Sequence, residues 1–200
     1  MSIGSTCRLA TSSRRIVAAF TVIAAATGCA RAPCQVLITQ EEALRLAFPD
    51  AATTDRRTAF LSRADLETAR RLAGSEGGID RSVVTYSVGR RASGGSGVAY
   101  FDAHRVRTLQ EVLMIVLDDA GRVARIEVLG FAEPPEYMPP EGWLALFQGH
   151  ALDAGETGKS NVPAITGATL TSGAVGAAIR RVQALHAVID PFGTHADVSP

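Results

Sequence analysis

Residues 112–129 read Val-Leu-Met-Ile-Val-Leu-Asp-Asp-Ala-Gly-Arg-Val-Ala-Arg-Ile-Glu-Val-Leu. Val112 to Leu117 is an unbroken apolar run, the pattern of a strand covered on both faces. Asp118 to Arg122 carries Gly121 and reads as a turn, and Val123 to Leu129 returns as a partner strand with Arg125 and Glu127 on its polar side. Upstream, Val84, Tyr86 and Val88 alternate with polar neighbours. After a loop from Ala92 to Gly97, Val98 and Tyr100 resume the pattern. These segments predict two hairpins and an antiparallel sheet of about four strands. Gly94-Gly95-Ser96-Gly97 joins strand to strand with no helix behind it, so it reads as a hairpin loop rather than a phosphate loop.

Helices flank the strands in this reading. Thr39 with Glu42, and Ser62 with Asp65, have capping-box spacing. The first helix bears Ala43, Leu44, Ala47 and Phe48 and stops at Pro49; the second bears Leu66, Ala69, Leu72 and Ala73 and stops at Gly74. Arg63, Glu67, Arg70 and Arg71 read as the solvated face of the second helix. Gly130 to Pro140 holds four prolines and is expected as an extended loop without helix. Trp143, Leu144 and Phe147 share one side of a short helix ending at Gly149, and Gly155 to Ser160 is a polar loop. Val175, Ile179, Val182, Leu185 and Ile189 form a helical stripe that must pack on the sheet, with Arg180 and Arg181 off the stripe. That last helix is expected from Thr171 or Ser172 to about Ile189, stopped by Pro191 and Gly193. The expected class is α+β.

The 200 residues suit one domain behind a targeting segment. Arg8, Arg14 and Arg15 precede the apolar run Ile16 to Ala26, then Thr27, Gly28 and Cys29, the three-part pattern of an export signal. The run is shorter than a membrane span needs, and the small residues before Cys29 form a lipoprotein-type cleavage box, so Cys29 is the expected lipid attachment point. The expected organisation is a signal over 1–29, a tether and short helices over 30–82, a binding domain over 83–190 and a tail over 191–200. Twenty basic and twenty acidic side chains cancel, leaving no field to attract nucleic acid. Cys7, Cys29 and Cys34 all precede the folded region, and His104, His150, His186 and His195 lack metal-ligand spacing, so no metal is expected.

Chemistry concentrates in Ile165-Thr-Gly-Ala-Thr-Leu-Thr-Ser172. Thr166, Thr169, Thr171 and Ser172 offer hydroxyls, Gly167 lets a ligand approach the backbone, and the following helix turns its N-terminal amides toward an anion. A phosphate group fits such a turn. Thr166-Gly167-Ala168-Thr169, with Leu170-Thr171-Ser172 and the alanine-rich helix behind it, resembles the flavinylation motif of the FMN-binding domain family, which includes the G subunit of Rnf electron-transport complexes and the C subunit of the sodium-translocating NADH:quinone oxidoreductase. The resemblance extends over Val83 to Ile189, with Glu133-Pro134 standing where the family has a glutamate-proline loop.

The resemblance implies that Thr169 carries FMN through a phosphoester, that a separate FAD-consuming flavin transferase attaches it, and that subunits of a membrane redox complex are partners. It also implies an electron carrier more than an enzyme, on the exported side of a membrane. The family's extended motif has an aspartate six positions before the modified threonine, where this chain has Pro163. That departure keeps open an alternative, a flavin-free lipoprotein serving as an assembly module. Glu133 reads either as an acid at the site or as a loop acceptor; Tyr137 and Trp143 are candidates to stack on the flavin ring, and Trp143 reads equally as core.

Overall fold

The computed structural model describes residues 35–75, 77–91, 95–152 and 163–193, with the backbone alone at Ala52 and Arg91. The export segment, all three cysteines, residues 92–94 of the glycine loop, the 155–160 loop and the tail from 194 lie outside the described residues. The chain runs β1 (Gln35–Val36), α1 (Gln40–Ala47), β2 (Ala51–Phe60), α2 (Arg63–Ala73), β3 (Val83–Arg91), β4 (Ser96–Val106), β5 (Leu109–Asp118), β6 (Val123–Phe131), α3 (Glu141–Leu144) and α4 (Thr169–Ile189). The class is α+β, as expected.

β5 explains its own composition. Leu113, Ile115 and Leu117 point into a core shared with α4, while Met114 and Val116 point into a second core shared with α1. With both faces covered there is no polar side to alternate with. At the β5–β6 turn, Asp118 Oδ1 accepts the amides of Ala120 (3.0 Å) and Arg122 (2.8 Å), and Gly121 takes φ +71°. That left-handed backbone favours glycine.

The sheet has six antiparallel strands in the order β1-β6-β5-β4-β3-β2, rather than the expected four. β2 pairs with β3 from Ala51↔Arg91 to Phe60↔Val83, so residues 51–60 belong to the same sheet as the strands after Val83. β2 lacks an alternating pattern because it is an outer strand, largely exposed, with Thr53 to Arg56 all in solvent. β1 contributes only the pairs Gln35↔Phe131 and Val36↔Gly130. The proline-rich segment also departs from expectation, because Pro135–Tyr137 forms a 3-10 turn.

Both capping boxes form: Thr39 Oγ1 accepts the Glu42 amide (3.2 Å) and Ser62 Oγ accepts the Asp65 amide (3.2 Å). Past α1, Phe48 lies across the paired glycines Gly89 and Gly97; a Cβ built on Gly89 would come within 2.5 Å of the ring. α4 starts two residues earlier than expected, at Thr169, and buries Val175, Ile179, Val182 and Leu185. Arg181 of α4 meets Asp102 of β4, and five residues later His186 meets Tyr100. The helix therefore runs antiparallel to β4, with its first turn directed toward the β4–β5 hairpin. No helix among the described residues is long and apolar enough to cross a membrane.

Candidate functional site

The turn before α4 is built from its own hydrogen bonds. Ala168 N–H donates to Ile165 O (3.0 Å) and Gly167 takes φ +82°. Ile165 N–H donates to Ser172 Oγ (2.8 Å), and that hydroxyl donates to Ala168 O (3.1 Å). The Ser172 hydroxyl thus closes the turn, and Thr171 is only 1 % exposed. Their hydroxyls, expected to face a phosphate, are turned inward.

Three features remain outward. Thr169 is exposed as the first helical residue, Thr166 is exposed beside it, and a Cβ placed on Gly167 would have nothing within 4 Å. No side chain caps α4; its N-cap is Ala168. The first helical hydrogen bond is from Ser172 N–H to Ala168 O (3.0 Å), so the amides of Thr169, Leu170 and Thr171 have no partner within the helix. An exposed hydroxyl beside uncapped amides suits a phosphoester, whose negative charge gains from those donors and the helix dipole.

The three more distant candidates divide. Trp143 is half-buried and its Nε1–H donates to Pro163 O (2.7 Å), which ties the segment entering the turn to the core; its ring meets Phe147 edge-on. Glu133 acts as a loop acceptor: its Oε1 takes the amides of Thr108 (3.2 Å) and Leu109 (3.0 Å) at the β4–β5 hairpin, where Arg107 adopts φ +52°. Tyr137 lies under the Arg107 guanidinium at 4.8 Å. Glu133 and Tyr137 therefore belong to the hairpin, and Trp143 to the turn.

A second cluster was not anticipated from the sequence. His104 lies between Asp102 and Glu111: Nδ1 is 2.9 Å from Asp102 Oδ1, and Nε2 is 2.9 Å from Glu111 Oε2. Arg181 donates twice to Asp102, from Nε (2.7 Å) and Nη2 (2.8 Å), and once to Gly77 O from Nη1 (2.6 Å). Burial opposes the charge on His104, but hydrogen bonds to Asp102 and Glu111 and the pull of both side chains outweigh it and raise the imidazole to about 9. Burial likewise works against ionised Asp102, yet Arg181 and His104 bring its carboxyl down to about 2. Glu111 is fully buried, with Oε1 lacking a hydrogen-bond partner. The available signal was Asp102-x-His104 on one strand face, which becomes legible once Val106 is paired with Leu109 and Glu111 falls opposite His104. Among the described residues no group of three histidine, cysteine or acidic side chains could hold a metal.

Residues 110–184 match the family described as the FMN-binding domain. The match runs from β5 through Glu133, Trp143 and the Thr169 turn into α4. Over those residues the match supports a flavin-binding domain with FMN as its cofactor. β2, β3 and β4 all precede the matched span although they share its sheet. No curated protein and no solved structure gives a match.

Proposed function

We propose that this chain is an exported flavoprotein in which Thr169 carries FMN as a phosphoester, and that it relays electrons beside a membrane through a redox complex. The observation that carries this reading is the exposed Thr169 hydroxyl at the uncapped start of α4, inside the span matched to the FMN-binding domain. A threonine hydroxyl with no activating base is a weak nucleophile, so a flavin transferase performs the attachment. In that step the Thr169 hydroxyl loses its proton and its oxygen bonds to the phosphorus of the FMN half of FAD; the anhydride P–O bond breaks and AMP leaves. No electrons are exchanged. The amides of Thr169 to Thr171 then hold the phosphoester oxygens, and Trp143 keeps the incoming segment in place through Pro163 O. When bound, FMN supplies the redox chemistry, and the protein sets its orientation and surroundings.

Export rests on the Arg8 to Ala26 pattern, and membrane attachment on Cys29. One intact-mass spectrum of the mature chain, made in a host with an exported flavin transferase, tests both points. The expected spectrum shows the mass of FMN less water, lost in Thr169→Val with circular dichroism unchanged, and a lipid adduct on an N-terminal Cys29. A colourless wild-type chain without the flavin mass, made beside an active transferase, overturns the covalent reading and favours the flavin-free assembly module.

A further inference from the structure

The sheet is unzipped between β3 and β4. Their pairing runs from Arg90↔Ser96 only as far as Tyr86↔Tyr100. Beyond that point both strands continue and stay paired on their outer sides: β3 to β2 as far as Val83↔Phe60, and β4 to β5 as far as Val106↔Leu109. Continued register would set Thr85 against Phe101 and Val83 against Ala103, and neither pair forms. Two strand edges thus face each other across a cleft of about 720 Å³. Arg181 braces it, since its guanidinium reaches Asp102 on β4 and Gly77 in the segment leading to β3.

Open strand edges carry rows of amide donors and carbonyl acceptors at fixed spacing, and the group that satisfies such rows on both sides is another extended backbone. The charges at the mouth favour one kind. Arg56 and Arg81 line the cleft and make no ion pair among the described residues, whereas Glu41 on its rim is already held by Arg45. Asp80 also stands on the rim. We propose that this seam is a docking slot for an extended, acidic peptide segment of a partner protein, which inserts between β3 and β4 as an added strand. Arg56 meets its acidic side chains. The slot is separate from the flavin turn, because Arg181 lies twelve residues beyond Thr169 on α4, about 18 Å along the helix.

The test is hydrogen exchange on the full chain with the probe peptide acetyl-Glu-Val-Thr-Val-Glu-amide. Amides of Val83 to Thr85 and Phe101 to His104 that exchange fast in the free protein are expected to slow roughly tenfold at millimolar peptide. The same peptide with proline at its centre, unable to donate there, gives no slowing. Ala103→Trp fills the slot at an exposed position and abolishes the effect; Arg56→Glu, also at an exposed position, weakens it roughly tenfold while leaving Tm unchanged. No slowing in wild type, equal slowing by the proline peptide, or slowing by free FMN in place of the peptide each overturns the proposal.

Discussion

The buried His104 makes a signed prediction about stability and pH. Its pKa is raised from 6.5 to about 9 in the folded chain, so folding binds the proton more tightly than the unfolded chain does. Stability from this group is fully present below pH 6.5 and is lost as pH rises through 9. The gap between 6.5 and about 9 corresponds to a ceiling of roughly 3 kcal/mol, and with the side chain only 10 % exposed, solvent screening removes little of it. Urea denaturation at fixed ionic strength between pH 6 and 9.5 reads this directly. Wild type should lose roughly 2–3 kcal/mol across the window, and His104→Gln should show a much flatter profile. The acid side has the opposite sign: Asp102, brought down to about 2, contributes stability above its unfolded value near 3.8 and loses it as pH falls toward 2. His104→Gln with the same alkaline slope as wild type would refute the reasoning, because the slope would then belong to other groups.

Other perturbations read other contacts. Gly89→Val drives a side chain into the Phe48 ring and should cost about 1–3 kcal/mol in urea denaturation, with Phe48→Ala in the same chain recovering part of the loss. Ser62→Ala removes the cap of α2 and should cost about 1 kcal/mol, seen as a Tm a few degrees lower. Trp143→Phe keeps the ring against Phe147 but deletes the N–H bonded to Pro163 O; it should cost about 1 kcal/mol and quicken proteolysis of the segment before α4.

Legibility in the sequence followed locality. The hairpin around Gly121, both capping boxes and the stripe of α4 are written within a few residues of themselves, and the structure has them all. β2 was hidden because the strand that holds it, β3, lies more than twenty residues away and solvent bathes most of it. Thr53-Thr-Asp-Arg56 presents no apolar face from which to infer pairing. The extension of β4 to Val106 was hidden for another reason. Asp102 and His104 occupy inward positions that the period-two rule reserves for apolar groups, and only the partners Glu111 and Arg181 make that placement tolerable.

At the proposed flavin site the residue types were legible and their division of labour was not. Hydroxyls at Thr169, Thr171 and Ser172 look alike in a sequence; the helical phase makes them different. With Thr169 as the first helical residue, Thr171 turns into the core and Ser172 reaches back to Ile165, which leaves Thr169 outward. That phase is fixed from afar. Arg181 on Asp102 and His186 on Tyr100 lock α4 in register and rotation against β4, and a rigid helix carries that setting back to its first turn. The ion network missed in the sequence therefore has a structural bearing on the motif found there, since it helps set which hydroxyl α4 turns outward, the one proposed to carry FMN.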